Sequence, residues 1–148
     1  MSEIIYKQID KPLKERIVSI FGDWITEHGC LLIEEEGSYA VAALSGDDIA
    51  GFAGINKAEL AAPLNGCYDA FINIVEVDDN FQRQGIGRRM ISMLEDWAKS
   101  YGYKQIRAWS SEDKVAAIRM WYALNYGMCP AVDHGIKGYV YAKVLNPT

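Results

Sequence analysis

The chain predicts a mixed α/β fold, read as one domain spanning residues 1–148. Short β-like apolar runs recur between clusters of Gly, Asn, Asp and Ser, the punctuation of strands. Other stretches carry apolar residues at three- and four-residue spacing, which is a helix with one buried stripe. One strand, ending at Val77, passes through a short polar turn into two glycines that open a long amphipathic helix. The order β-α-β-β-β-α-β-α-β-β fits a single sheet flanked by helices.

The elements follow in order. Ile4 to Ile9 reads as a first strand. Asp10 is placed to cap a helix, with Pro12 in its first turn, where the missing N–H costs nothing. Leu13, Ile17, Ile20, Phe21 and Trp24 form the stripe of that helix, and Gly29 is the expected stop. Glu34-Glu35-Glu36-Gly37 reads as a charged turn. Tyr39 to Leu44 and Ile49 to Asn56 are strands joined as a hairpin by Ser45-Gly46-Asp47-Asp48. Ala58 to Gly66 reads as a loop, and Tyr68 to Val77 as a longer central strand. The helix opened at Gly85 carries Ile86, Met90, Met93, Leu94, Trp97 and Tyr101 on one face and stops at Gly102. Lys104 to Ser110 is a strand, Ser111-Glu112-Asp113 a helix start, and Lys114 to Leu124 a helix closed by Asn125 in the left-handed conformation. Met128 to Val132 and Gly138 to Leu145 are the last strands, with His134-Gly135 between them.

Composition bounds the function. The 148 residues are 50% apolar and 24% charged, ordinary for a globular domain with a core of useful size. No apolar run reaches the length of a membrane span, so no membrane partner is expected. Met1 to Tyr6 lacks a basic region followed by an apolar stretch, so no secretory signal is read and a cytoplasmic location is expected. A net charge of −5 argues against nucleic acid as a partner and permits a cationic substrate. Cys30, Cys67 and Cys129 are odd in number and scattered, so neither a disulfide framework nor a metal site is expected. His28 and His134 are isolated and read as loop or surface residues.

The informative stretch is Ile72 to Arg89. A glycine-rich turn at a helix N-terminus exposes backbone N–H groups with no partner inside the helix. Those donors and the positive end of the helix dipole suit a phosphate or pyrophosphate. Three patterns compete. A Rossmann fingerprint needs a third glycine where Met90 stands, and a P-loop needs GxxxxGK, which the chain lacks. Gln/Arg-x-x-Gly-x-Gly/Ala after a central strand is matched by Gln82-Arg83-Gln84-Gly85-Ile86-Gly87. The alternative is that Gly85 and Gly87 only allow a tight turn and close packing.

With Val77-Asp78 before it and Arg88-Arg89-Met90 after it, this motif resembles the GNAT superfamily of acetyl-CoA-dependent N-acetyltransferases. A second block, Ala117-Ile118-Arg119-Met120-Trp121-Tyr122-Ala123-Leu124-Asn125-Tyr126, resembles the family's later helix, usually Ala-Ile-x-x-Tyr-x-x-Leu-Gly-Phe. The resemblance implies a mostly antiparallel sheet splayed between its fourth and fifth strands, with acetyl-CoA as co-substrate. It implies a pyrophosphate on the backbone of Gln82, Arg83, Gln84, Gly85, Ile86, Gly87 and Arg88, with Arg89 as a further cation. It implies a pantetheine arm along Val75, Glu76 and Val77, pairing with the strand edge through its amides. The thioester would lie between Ile74-Val75 and Ala108-Trp109, with a backbone N–H near Val75 polarising its carbonyl.

The catalytic groups depart from the family pattern. The tyrosine that usually protonates the leaving thiolate falls on Trp121, whose indole is no useful acid. Tyr122 is the adjacent candidate, against a lining role or departure of the thiolate unassisted. The usual base positions fall on Phe71 and Asn73. The fifth-strand glutamate of ribosomal-protein N-terminal acetyltransferases falls on Trp109. Glu76 and Asn73 remain as candidates to accept a proton, order a water or hold substrate. The acceptor pocket is expected from the first helix, the loop at Ala58 to Gly66 and the last strands. Trp24, Tyr68, Phe71, Trp109, Trp121 and Tyr139 are candidates for an aromatic wall, and Glu34 to Glu36 are candidates to draw in a cationic amine, against a solvated charged turn. The resemblance implies a homodimer acting on a small-molecule or peptide amine. A CoA-binding sensor with little chemistry, and an interaction protein that keeps only the fold, are the other readings.

Overall fold

The computed structural model describes residues 3–145; Met1 and Ser2, part of the segment read for a secretory signal, lie outside the described residues. The strands are β1 (Ile4–Gln8), β2 (Tyr39–Ser45), β3 (Asp48–Glu59), β4 (Tyr68–Val77), β5 (Gln105–Ser111), β6 (Gly127–Asp133) and β7 (Ile136–Val144). The helices are α1 (Lys11–Phe21), α2 (Trp24–Glu27), α3 (Ile86–Tyr101) and α4 (Val115–Ala123). One seven-stranded sheet runs β1-β2-β3-β4-β5-β7-β6. Among the described residues only β4 and β5 are parallel, as a strand–helix–strand crossover through α3 requires.

Strand alternation sends successive residues to two cores. On the α3 side, Val41, Ala43, Ala53, Ile55, Ala70 and Ile72 pack against Met90, Ile91 and Leu94. On the other side, Ala40, Ala42, Phe52 and Ile74 pack against Leu13 and Ile17 of α1 and Ile25 of α2. Each Val, Leu, Ile, Phe or Met among them, fully buried, contributes about 1.5–3 kcal/mol, and each alanine less.

The first helix is shorter than its spacing predicts. Asp10 caps it as expected, accepting from the Leu13 N–H at 2.9 Å. It stops at Phe21, because Gly22 takes φ +126°, and the chain restarts as α2. The Trp24 indole crosses the break and donates to the Phe21 carbonyl at 2.9 Å, satisfying an orphaned helix-end acceptor. Trp24 and Ile20 are therefore exposed, and Ile25 fills the core position. In α3 the buried face is Ile86, Met90, Ile91, Leu94 and Ala98; Tyr101 is exposed and stacks on Trp97 at 5.0 Å. The segment Ala58 to Gly66 is not all loop: β3 runs on to Glu59, held by Ala58↔Asp69 and Glu59↔Tyr68. Asn125 has φ +68°, closing α4 as predicted.

Two irregularities of β4 matter for function. Gly54 pairs Ile74 but Ile55 pairs Ile72, so Asn73 is an extra residue, a bulge in the middle of the strand. On its other edge, β4 meets β5 through only Ala70↔Ile106 and Phe71↔Arg107. Beyond those rungs the two strands separate.

Candidate active-site cleft

The gap between the diverging strands continues into a cleft of about 870 Å³. Ile72 to Val77 of β4 form one wall, and Ala108, Trp109 and Ser110 of β5 the other. Gln82, Arg83 and Gly85 to Arg88 close one part of it, and Lys114, Ala117, Arg119, Met120 and Trp121 another. A second groove of about 700 Å³ lies between α1, α2 and residues 32–35; it takes in none of the splayed strands or the glycine turn.

The glycine turn has a geometry that suits an anion. Arg83 takes φ +65° and Gly85 φ +78°, two left-handed residues separated by one. Such alternation turns successive N–H groups toward one concavity. Gly85 is the N-cap of α3 and supplies no side chain to satisfy it. The first bond of α3 runs from the Arg89 N–H to the Gly85 carbonyl at 3.0 Å, so the N–H groups of Ile86 to Arg88 have no acceptor one turn back. A Cβ on Gly85 would meet no protein atom within 4 Å, so the space before the turn is open. Arg83 strains a non-glycine backbone here, which is costly and concentrates at functional sites. Gln82 braces the turn, its amide donating to the Asp79 carboxylate at 3.2 Å. Gln84 lies in the turn but is not among the residues lining the cleft.

Along β4, the bulge settles which way the candidate side chains face. Without it, Asn73 and Glu76 would point to opposite faces. Ile74 packs on the α1–α2 side and Val75 and Val77 on the α3 side, so Glu76 faces the α1–α2 side. Asn73 faces the same way: its amide donates to Asn56 Oδ1 at 2.9 Å and its oxygen accepts from the Leu31 N–H at 3.4 Å. Asn73 thus ties the connection between α2 and β2 to the cleft wall. Its carbonyl also accepts from the Cys30 thiol at 3.5 Å.

Glu76 is exposed at the rim of the cleft. Partial loss of water around its carboxylate, then the nearby Asp79 charge, raise its pKa above the usual carboxylate value, while Lys114 across the cleft pulls it down.

The remaining candidates are divided. Trp121 is buried, stacked on Tyr141 at 5.5 Å, and lines the cleft. Tyr122 is 75% exposed and is not among the lining residues. Of the aromatic set, Trp109 and Trp121 reach the cleft; Trp24, Tyr68, Phe71 and Tyr139 do not. Glu36 is engaged elsewhere, accepting from Tyr101 Oη at 2.9 Å. Sequence reading missed Ser110, Lys114 and Arg119. Ser110 Oγ lies 2.7 Å from Tyr141 Oη, a hydroxyl pair running from the cleft into the core. Lys114 and Arg119 add cationic charge to the cleft lining, and nothing local in their sequence marks them.

A parallel strand pair that opens into a cleft beside a helix N-terminus is the arrangement that defines this fold. The model of the acetyltransferase (GNAT) family matches residues 5–126, and the chain belongs to that family. Comparison with curated proteins gives no match. Among solved structures, the chain resembles Arabidopsis thaliana NAA60 in complex with a bisubstrate analogue, with TM-score 0.75 at 13% identity over 99% of this chain and 100% of that one. It resembles yncA of Salmonella typhimurium, a putative acetyltransferase with its cofactor acetyl-CoA, with TM-score 0.73 at 18% identity over 98% and 95%. It also resembles the ribosomal-protein-S18-alanine N-acetyltransferase of Escherichia coli, with TM-score 0.68 at 15% identity over 97% and 93%. At these identities the likeness is one of fold.

Proposed function

We propose that the chain is an N-acetyltransferase that moves the acetyl group of acetyl-CoA to a primary amine of a small molecule or peptide. The observation that carries this reading is one continuous cleft. It joins a cradle of unpaired N–H groups to a strand edge that has lost its partner. A ligand with a pyrophosphate at one end and an amide-bearing arm suits both parts. Family membership and the cofactor-bound yncA structure support the same ligand.

In this reading the pyrophosphate sits on the backbone from Gln82 to Arg88, with Arg83, Arg88, Lys114 and Arg119 offsetting its charge. The arm pairs with the free edge of Val75 to Val77. The Val75 N–H holds the thioester oxygen as negative charge develops on it. The neutral amine enters from the α1–α2 side, the face to which Glu76 points, and attacks the thioester carbon. The C–N bond forms, the C–S bond breaks, and the amine proton passes to Glu76, directly or through a water. A raised carboxylate pKa makes Glu76 a stronger base than an ordinary glutamate. The departing thiolate takes a proton from the Ser110–Tyr141 hydroxyl pair, and the proton gained by Glu76 restores that pair through water, so the thiol leaves neutral. Asn73 shapes the acceptor side by holding the Cys30–Leu31 segment. The exposed edge of β6, with Met128 and Val132, supports a homodimer, which sedimentation would test.

Two observations favour the sensor reading: Asn73 is held in structural hydrogen bonds, and Tyr122 lies outside the cleft, leaving few groups for chemistry. Thiol release from acetyl-CoA across a panel of primary amines separates the two. An amine-dependent rate supports transfer. Release that never exceeds slow hydrolysis with any amine, while acetyl-CoA still binds, supports the sensor.

A further inference from the structure

We infer that Asp69 and Arg107 are a positioning pair that sets the width of the cleft, and through it the grip on the pantetheine arm. The inference rests on the acetyl-CoA reading above.

Asp69 is 2% exposed and lies at the start of β4. It accepts three hydrogen bonds, all from β5: Arg107 Nη2 to Oδ1 at 2.9 Å, Gln105 Nε2 to Oδ2 at 2.8 Å, and Arg107 Nε to Oδ2. Arg107 keeps part of its side chain in water, at 26% exposure. The cluster coincides with the two rungs that join the strands, Ala70↔Ile106 and Phe71↔Arg107.

Its position explains why so much polar machinery is buried there. The half-sheet β1-β2-β3-β4 meets the half-sheet β5-β7-β6 only along this pair, whereas β3 and β5 are joined to their antiparallel neighbours by seven or more rungs. Two backbone rungs are a weak hinge. A bidentate guanidinium–carboxylate contact fixes both distance and angle between the strands, which a point charge does not. The cleft opens at the next residue, Ile72, so a small rotation at the hinge is magnified toward Val77. A hinge that loosens would spoil the match between strand edge and arm. The cradle, fixed by its own turn and by α3, would be untouched.

Two ligands separate these effects in calorimetry. Acetyl-CoA uses cradle and arm, and 3′-phospho-ADP uses the cradle alone. Asp69→Asn keeps the shape and removes the charge, and Arg107 can turn to solvent. Arg107→Lys keeps the charge and removes the fork, and serves if the first variant does not fold. The expected result is acetyl-CoA binding weakened by about 2- to 30-fold, in the range for mutations that act through a network, with 3′-phospho-ADP binding unchanged. Asp69→Asn combined with Arg107→Gln, a neutral pair, should recover part of the loss. Equal weakening of both ligands, or no weakening of either, overturns the inference. Failure of the unmutated protein to bind acetyl-CoA would instead overturn the cofactor reading on which it rests.

Discussion

The two glycines of the motif should respond oppositely to the same substitution. Gly85 has φ +78°, so Gly85→Ala forces a side chain into the left-handed region even though no protein atom lies within 4 Å. That conformation costs an L-residue about 1–2 kcal/mol. Gly87 lies inside α3 with no such φ, and a Cβ there would sit 3.6 Å from Val77 Cγ2 and 3.8 Å from Met120 Sδ, ordinary contact distances. Gly87→Ala then gains about 0.4–1 kcal/mol by restricting the unfolded chain. For a domain of this size 1 kcal/mol moves Tm by about 2–4 °C. Gly85→Ala should lower Tm by about 2–8 °C, and Gly87→Ala should raise it by about 1–4 °C. Thermal unfolding by circular dichroism measures both. Calorimetry should add weaker acetyl-CoA binding for Gly85→Ala, because relief of the strain turns the cradle N–H groups away. A Gly87→Ala protein that melts below the parent, or a Gly85→Ala protein that melts with it, refutes this reasoning.

Glu76→Gln should lower kcat/KM and remove from the acidic limb of its pH profile the titration set by Glu76, leaving the one set by the amine substrate. The Glu76 part of the limb falls as pH drops through the raised pKa of Glu76, so its midpoint in the parent should lie above the value of an ordinary glutamate. A parent midpoint at or below that value contradicts the assignment. Ser110→Ala should reduce kcat with little change in the KM for acetyl-CoA, while Tyr122→Phe should leave both unchanged; steady-state kinetics with the reverse pattern would return Tyr122 to the mechanism. Tyr103 is buried and donates to the Gly37 carbonyl at 2.7 Å, and burial, with Tyr101, Glu36 and Asp69 nearby, pushes its pKa up to about 12. A raised folded-state value means that its stabilisation is complete below about pH 10. The stabilisation is lost as pH rises through about 12. Denaturant unfolding of Tyr103→Phe should show about 1 kcal/mol less stability at neutral pH, and a smaller further loss than the parent on going to strongly alkaline pH.

What was legible in the sequence was local. The cradle is a run of consecutive residues, and glycine at a left-handed N-cap leaves a mark that sequence can carry. Asn125 and Asp10 were readable for the same reason. The early end of α1 was not: Gly22 and Gly29 are both plausible stops, and only the indole bond across the break decides between them. The facing of Glu76 depends on a one-residue bulge, which follows from pairing with β3 rather than from β4 itself. Ser110 becomes a site residue only when β5 diverges from β4, and Lys114 and Arg119 only when α4 packs beside the cleft. Asp69 and Arg107 are 38 positions apart and read as ordinary strand charges until the parallel register brings them together. The cofactor half of the site is therefore written in one segment, and the acceptor half is assembled from many.

The central claim concerns where acetyl-CoA lies, and backbone amide NMR during titration with acetyl-CoA tests it most directly. The account predicts that the resonances of Ile74 to Val77 and Arg83 to Arg88 shift, with those of Ser110, Lys114 and Arg119, while α1 and β1 stay still. Shifts confined to the groove between α1 and α2, or none at saturating ligand, would contradict it.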